Sequence, residues 1–568
     1  MRARFLLLLA LAGGCSFEST APVATVSNVC ASDADCVRGM CDGEICIDDT
    51  NAFVEVAIEV LGDNSGASSP VPASWAFMTE RFNGSSVRDL ILPATREVRG
   101  VVRWDGLPVP ATLRFVRHMP TSVAPLKPLP ITVDTTRGAS ASESASYDFS
   151  TSLVDGETYD VVVLPTDDMV TSPTDASAPA IRSLPPLYRQ ILLRGGDPAE
   201  PFRFDVEFPA NLTSLCTNTK STGCTLEGEI FSSDGETDIA EPGLQVRAVD
   251  KVTGLVVSSV GETSELGAFA IRLGADASAY SIRVTSSVGR DPFPAVSVDP
   301  EVLFSDDGSA KIIRVPRLDP VQYTGRVRDE EGAAVSGANV RFLSSGIFDG
   351  SQLGLVGSFT GATTTNEDGS FGVELLPGLY SITVTPPEEE DIPWGVLATE
   401  AFVIDDVGEP DPLVVPTNVE LVGGVTTFND EGAAGVTVLA RARQSIETET
   451  MNRSQEVVSE EGGAFRMRMD RGLYDMHVKI PSETGFAWLV EPALLMDDDV
   501  LRNYRLAPPI PIQGILLSSG SAPVSGAQVR AYVVTLQGGV SRLLQVAETT
   551  TDEEGNYRLL IAPRLGAL

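Results

Sequence analysis

The sequence predicts an all-β protein made of tandem seven-strand Greek-key β-sandwich repeats, preceded by a small disulfide-rich N-terminal module. Three observations support this prediction. Apolar residues alternate with a period of two over short stretches, glycine (51) and proline (38) are frequent, and one pattern of strands and turns recurs along the chain. The length of 568 residues exceeds what one hydrophobic core usually supports, so several domains are expected.

The first fifteen residues predict export. Arg2 and Arg4 precede an apolar run at residues 5–11, which is too short to span a bilayer as a helix and is typical of a signal peptide. The run is followed by small residues and a cysteine: Ala12-Gly13-Gly14-Cys15. This stretch resembles a bacterial lipoprotein box.

The resemblance implies that residues 1–15 contain a lipoprotein signal peptide, and that Cys15 is acylated and becomes the mature N-terminus. Several acyl chains would anchor the protein stably to a membrane. By resemblance to Gram-negative sorting, Ser16 implies the outer membrane or cell surface. The alternative is an ordinary cleaved signal that leaves a free cysteine.

The six other cysteines are an even number, which predicts disulfides in an exported protein. Residues 16–51, a tether and a cysteine-rich module, contain four of them: Cys30, Cys36, Cys41 and Cys46. Cys216 and Cys224 flank a short polar loop. The compartment and the lack of a C-x-x-C pair favour disulfides over zinc. Spacing alone does not determine the pairing within the module, and we suggest Cys30–Cys41 with Cys36–Cys46.

Internal repetition is the main feature of the remaining sequence. A complete copy has a glycine within an apolar alternation, a turn, a second strand, a turn before an aromatic residue and a final tyrosine-containing strand. The third copy shows all of these: Gly325, Asp329-Glu330-Glu331-Gly332, Ala338-Asn339-Val340, Asp368-Gly369-Ser370-Phe371 and Tyr380-Ser381-Ile382. Antiparallel strands with one buried face show this alternation. We predict five repeats, at 93–205, 206–314, 315–413, 414–505 and 506–568, after an N-terminal partial repeat at 52–92.

The repeat resembles the carboxypeptidase regulatory-like family, most closely in the third copy. The resemblance implies a transthyretin-like β-sandwich that is non-catalytic. In bacterial surface proteins such modules serve as stalks or spacers, and some relatives with a similar sandwich bind glycans. The tyrosines that recur in phase are expected to be core or corner residues: Tyr159, Tyr280, Tyr380 and Tyr474.

Both ends of the repeat array depart from the pattern. Residues 52–92 lack the first half of a repeat, and the last repeat stops after residue 561 without the tyrosine-containing strand. A missing strand leaves ladder groups and apolar surface open. Two interpretations remain: a truncated or capped terminal repeat, or an edge that accepts a strand from a partner.

Catalytic motifs are not evident. The sequence has two histidines, His118 and His477, in separate repeats, and alternation predicts that His477 faces away from its own core towards solvent. No cofactor or metal is predicted. The net charge of −37 argues against nucleic-acid binding. Trp394 and Trp488 occupy similar places after repeats three and four, and are candidates either for glycan stacking or for packing between a sandwich and its connecting strand.

These observations predict a non-catalytic, lipid-anchored surface protein with a structural or adhesive role, in which five sandwiches laid end to end form a rod. Its partners would be the membrane, through the lipid, and polysaccharide or another surface protein. The alternative is a carbohydrate-binding surface protein. A hydrolase that uses scattered carboxylates is the third and weakest class.

Overall fold

The computed structural model describes residues 26–36, 40–42, 44–47, 53–62, 72–77, 79–104, 106–118, 129–137, 147–166, 180–181, 184–194, 200–208, 224–274, 279–286, 292–299, 311–348, 355–388, 393–405, 411–443, 452–537 and 540–565. Within these ranges the chain is built of strands and short 3₁₀ turns, without an α-helix. No helix in the described part of the chain is long and apolar enough to cross a membrane. The predicted all-β class is therefore confirmed.

The N-terminal module is a small disulfide-linked hairpin. A 3₁₀ turn at Asp33–Asp35 precedes β1 (Met40–Asp42) and β2 (Ile45–Ile47), which pair antiparallel. The disulfides are Cys30–Cys41 and Cys36–Cys46, the pairs suggested from the sequence. Cys224 is also disulfide-bonded, and Cys216 lies outside the described residues. The predicted signal peptide and Cys15 lie outside them as well.

The strands after the module belong to the predicted partial repeat. They are β3 (Phe53–Leu61), β4 (Ser74–Ala76), β5 (Glu80–Asn83), β6 (Ser86–Val87) and β7 (Leu90–Ile91).

Four sandwiches follow, which we number 1 to 4 in chain order. Sandwich 1 contains β8 (Thr95–Trp104), β9 (Leu107–Pro108), β10 (Ala111–Arg117), β11 (Ile131–Asp134), β12 (Thr136–Arg137), β13 (Tyr147–Val154), β14 (Thr158–Pro165), β16 (Leu187–Leu192), β17 (Phe202–Arg203) and β18 (Val206–Phe208). The short β15 (Ala180–Ile181) pairs with a strand of the next sandwich. Sandwich 2 contains β19 (Thr225–Ser233), β20 (Asp238–Ala240), β21 (Leu244–Asp250), β22 (Gly261–Glu262), β23 (Ala268–Arg272), β24 (Tyr280–Ser286), β25 (Val296–Val298) and β26 (Lys311–Pro316).

Sandwiches 3 and 4 repeat the design. Sandwich 3 contains β27 (Val321–Asp329), β28 (Asn339–Phe348), β29 (Leu355–Gly357), β30 (Thr360–Thr364), β31 (Ser370–Leu375), β32 (Gly378–Thr385), β33 (Leu397–Ala398), β34 (Phe402–Ile404) and β35 (Leu413–Val415). Sandwich 4 contains β36 (Val419–Thr426), β37 (Thr437–Ala442), β38 (Gln455–Val458), β39 (Ala464–Met469), β40 (Gly472–Lys479), β41 (Leu489–Met496), β42 (Val500–Leu501) and β43 (Tyr504–Arg505), with 3₁₀ turns at Glu461–Gly463 and Ser482–Thr484.

All four share one topology. In one sheet, the first long strand lies between an antiparallel neighbour and the last strand of the sandwich, which runs parallel to it. In sandwich 3 these are β27, β31 and β35, in the order β31-β27-β35. The other sheet has four positions, as in β38-β37-β40-β41. Each pair of sheets encloses one cluster of buried apolar side chains. The four repeat tyrosines lie in these clusters and are at most 3% exposed, as predicted.

The recurring glycine of the repeat has a packing cause. A Cβ added to Gly100 would lie 1.8 Å from the carbonyl oxygen of Phe204, where the parallel last strand crosses the first strand. A Cβ added to Gly423 would lie 1.8 Å from the Arg502 carbonyl oxygen, and one added to Gly514 would lie 2.1 Å from the Arg88 carbonyl oxygen. No side chain fits at such a distance, so the glycine allows the two strands to approach closely.

The two chain ends build a fifth sandwich together. Its C-terminal half is β44 (Ile510–Leu517), β45 (Gln528–Gln537), β46 (Val540–Thr550) and β47 (Asn556–Ile561). The N-terminal strand β3 pairs antiparallel with β45, and β6 and β7 pair parallel with β44. The strand missing from the last repeat is therefore supplied by residues 53–61 of the same chain, and the open edge that suggested a strand from a partner is filled.

Contacts between neighbouring sandwiches form a closed cycle. Sandwiches 1 and 2 share a hydrogen bond from the Tyr188 hydroxyl to the Val256 carbonyl oxygen, at 2.8 Å. Sandwiches 2 and 3 are joined by a two-way backbone pair between Ala295 and Ser358, at 2.7 and 3.0 Å. Sandwich 5 meets sandwich 1 where the Arg117 guanidinium lies 4.2 Å from the centre of the Trp75 ring. Because sandwich 5 contains both ends of the array, the arrangement is a ring, and the expectation of a rod is wrong.

Small-angle scattering of the protein lacking residues 1–15 should give a compact particle. A ring of five sandwiches should have a radius of gyration of about 25–35 Å, near the value for a compact chain of this length. An end-to-end rod of ~150–200 Å, taking strands of ~17–20 Å plus loops and linkers per unit, would give about 45–60 Å. A radius in that upper range would contradict the ring.

Candidate functional site

The junction of sandwiches 4 and 5 with the disulfide module, which we call the closing junction, brings together more of the predicted site residues than any other described region. The module docks on it through Asn28, whose backbone N–H donates to the Thr484 carbonyl at 2.6 Å and whose side-chain amide donates to the Gly485 carbonyl at 3.0 Å. A small apolar cluster joins module, sandwich 4 and sandwich 5: Ile45, Ala487 and Leu560. The module therefore covers the contact between sandwiches 4 and 5.

His477 lies inside the closing junction. It was expected to face solvent, but only 4% of it is exposed. The alternation was correct, since the side chain faces away from the core of sandwich 4. That outer face is covered by β46 of sandwich 5, and the cleft between them is lined by His477 and Gln545 among others. Burial lowers the pKa of His477 to about 4, and the positive charges of Lys479 and Arg441 act in the same direction.

This pKa predicts acid sensitivity of the closing junction. The imidazole has an ordinary pKa of 6.5 and a folded-state pKa of about 4, so between these values the unfolded chain binds more protons than the folded one. Neutral His477 therefore makes its full contribution to the free energy of unfolding above pH 6.5. As the pH falls towards 4, the free energy of unfolding decreases by up to about 3 kcal/mol. Chemical unfolding measured across this range should show a smaller decline for His477→Gln. His118→Gln, at an exposed position, should follow the wild type, and identical pH profiles for all three proteins would refute the assignment.

A buried ion pair lies beside His477. The Arg443 guanidinium donates to Asp475, and the two side chains are 7% and 8% exposed. The Ala493 backbone N–H also donates to the Asp475 carboxylate, at 3.1 Å. A matching pair lies at the junction of sandwiches 3 and 4, where Arg453 donates to Asp470 at 2.6 Å. Neither pair could be found from the sequence, because acidic and basic residues alternate with apolar ones along most strands.

Trp488 lies at the closing junction and lines a groove of about 510 Å³ between sandwiches 4 and 5. Its indole N–H donates to the Ile480 carbonyl at 3.2 Å, and the Lys479 ammonium lies 5.0 Å from the ring centre. Trp394 lies at the junction of sandwiches 3 and 4. Its indole N–H donates to Asp329 at 3.3 Å, and its ring packs against the core of sandwich 3. Both tryptophans are half-buried, which favours the packing interpretation over glycan stacking.

The histidines do not assemble a nucleophilic site in the described part of the chain. His118 lies in sandwich 1 with Nδ1 3.0 Å from the Asp160 carboxylate, and both side chains are about half exposed. Neither His118 nor His477 is hydrogen-bonded to a hydroxyl or thiol among the described residues. The described sulfur atoms of Cys30, Cys36 and Cys46 lie within 4.8 Å of one another, but they are bonded in disulfides and are not free to bind a metal.

No protein-family model and no curated protein sequence matches the chain. Among solved structures, it is similar to the Bacillus anthracis TIE protein, with 12% identity over 70% of this chain and 69% of that chain and a TM-score of 0.15. It is also similar to the streptococcal ancillary pilin, with 12% identity over 57% and 99% of the two chains and a TM-score of 0.19. GBS52, the minor pilin of Streptococcus agalactiae, is 16% identical over 33% and 96%, with a TM-score of 0.21.

Proposed function

We propose that this chain is a non-catalytic structural or adhesive protein of the bacterial cell surface, tethered to the membrane through acylated Cys15. The observation that carries the proposal is the position of the tether relative to the ring. Val26, the first described residue, is 8% exposed and packs in the core of sandwich 4, beside the closing junction. The tether thus leaves the ring at sandwich 4, beside its junction with sandwich 5.

The tether is short. Residues 16–25 separate Cys15 from Val26, and a fully extended chain of that length spans at most about 35 Å. A ring on such a tether would lie close to the membrane surface and display its loops there. This differs from the long spacer expected of a rod, and it suits adhesion or organisation at the surface itself.

The anchor is tested by metabolic labelling with a palmitate analogue in cells that make the full-length chain. The wild type should incorporate the label and fractionate with membranes, and Cys15→Ala should do neither. Protease added to intact cells should cleave the anchored wild type if the ring faces outward. Unlabelled wild-type protein that fractionates with soluble proteins would refute the anchor.

Carbohydrate binding through the groove at Trp488 is the second candidate. The groove volume of about 510 Å³ lies in the range of small-ligand sites, and Trp488 contributes to its wall. Retention on immobilised polysaccharides should fall for Trp488→Ala and stay unchanged for Trp394→Ala, whose residue packs at a different junction. Equal retention of both variants and the wild type would remove this candidate.

A further inference from the structure

A second cleft at the closing junction is rich in arginine. Its volume is about 370 Å³, and both sandwiches contribute charged side chains to its lining: Arg441, Arg443 and Asp475 from sandwich 4, and Arg542 from sandwich 5. The whole chain has 78 acidic and 41 basic residues. Three arginines around one carboxylate reverse that balance locally, so the cleft is a positive site on a strongly acidic protein.

The three arginines differ in whether they already form an ion pair within the protein. Arg443 is buried and engaged with Asp475 and with further partners. Arg441 and Arg542 form no ion pair with any described residue, although acidic side chains are abundant in the chain. As far as the described residues go, both guanidinium groups thus keep donors that an incoming anion can use. Arginine presents a planar fork of donors that matches the two oxygens of a carboxylate.

His477 supplies the second observation. It lines the same cleft, is 4% exposed, and its Nδ1 has no hydrogen-bond partner among the described residues. A buried polar atom without a partner costs free energy, so a group that satisfies it gains affinity. The imidazole is neutral at pH 7, and its other ring nitrogen is hydrogen-bonded to the Gln545 backbone in the sense that raises the pKa, so that nitrogen carries the ring proton and Nδ1 is the acceptor. The group that completes this site must therefore donate a hydrogen bond, as a hydroxyl does.

We infer that this cleft binds an acidic saccharide, a sugar unit that carries a carboxylate for Arg441 and Arg542 and a hydroxyl for His477. A bare anion would leave the histidine nitrogen unsatisfied, and a neutral sugar would leave both guanidinium groups unpaired. The site exists only when sandwiches 4 and 5 pack against each other, since its walls come from β37, β40 and β46. It is distinct from the groove at Trp488, and it does not depend on the lipid anchor.

The test is a titration of the protein lacking residues 1–15 with glucuronate, with glucose and inorganic sulfate as comparison probes. The chain has only two histidines, so ¹⁵N-histidine labelling gives a simple readout in which exposed His118 serves as the internal reference. Glucuronate should shift the His477 ring signals saturably and leave His118 unchanged. Glucose should shift neither, and sulfate should bind more weakly than glucuronate.

Variants locate the site. Arg441→Ala with Arg542→Ala should weaken glucuronate binding by about tenfold or more for each charged hydrogen bond lost. Arg466→Ala is the matched control, since this exposed arginine of sandwich 4 lies on the other sheet and pairs with Glu420. If the double variant unfolds, Arg542→Gln tests the same contact. No shift with glucuronate, an equal response to sulfate, or unchanged affinity in the arginine variants would overturn the inference.

Discussion

Deletion of residues 53–92 should unfold the last repeat. The deleted segment contributes seven residues to the buried cluster of sandwich 5: Val54, Val56, Ile58, Val60, Phe82, Leu90 and Leu92. Without them β44 and β45 each lose one neighbouring strand edge, and the apolar faces of residues 510–561 are exposed to water. We expect aggregation or rapid proteolysis of that region, whereas sandwiches 1 to 4 keep their own cores. Limited proteolysis with mass spectrometry would identify the region that unfolds.

Adding the deleted segment back as a peptide of residues 53–92 should restore protection of residues 510–561. Protection without the peptide would mean that the last repeat is complete by itself.

A point substitution in the shared core gives the same information with less disruption. Ile58→Ala should cost about 2–5 kcal/mol of stability, because the side chain is buried in the shared core. Glu55→Ala, at an exposed position of the same strand, should stay within about 0.5 kcal/mol.

Loss of Asp470 should be the most damaging single change outside the apolar cores. Its side chain is 0% exposed, and it accepts hydrogen bonds from Arg453 and, across the junction of sandwiches 3 and 4, from the Val396 backbone N–H at 3.1 Å. The Arg453 guanidinium also donates to the Trp394 carbonyl at 2.6 Å. Asp470→Ala would leave a largely buried guanidinium without its counter-ion, at a cost of about 3–5 kcal/mol.

Thermal or denaturant unfolding measures this effect, and sandwich 4 offers a matched control. Glu420 pairs at 3.7 and 3.9 Å with Arg466 and Arg468, whose side chains are 67% and 46% exposed. Glu420→Ala should therefore cost less than about 1 kcal/mol. Equal, small effects of the two substitutions would show that the junction between sandwiches 3 and 4 is loosely packed.

Local sequence patterns predicted several of the strands within a repeat. The alternation of Phe371, Val373 and Leu375 corresponds to β31, and that of Tyr380, Ile382 and Val384 to β32. In three copies the repeat glycine marked the crossing of the first and last strands, at Gly100, Gly423 and Gly514, although the cause became clear only from the short distances there. These features depend on residues close together in the chain, which is why a period of two reveals them.

Contacts between sandwiches were not predictable in the same way. Ile58 lies opposite Ala531, a pairing that no local pattern specifies. One clue was present: the first segment contains the second half of a repeat and the last segment the first half, so the two are complementary. His477 shows the same limit, because alternation assigns a side chain to a sheet face and does not show whether another domain covers that face. Trp394 and Trp488 recur in phase because each lies at a junction.

A cross-link between the two halves of sandwich 5 tests ring closure most directly. Val87 of β6 and Gln513 of β44 are register partners; Val87 is 76% exposed and Gln513 is half-buried outside the apolar cluster, so cysteines at both positions would leave that cluster intact. Val87→Cys with Gln513→Cys should form a disulfide within one chain under mild oxidation, detectable by mass spectrometry of the monomer. Val87→Cys with Val252→Cys, the latter in sandwich 2 and 88% exposed, is the control and should not cross-link. Intrachain bonding of the first pair alone is the result that ring closure predicts. A first pair that stays reduced, or bonds only between two chains, would contradict it.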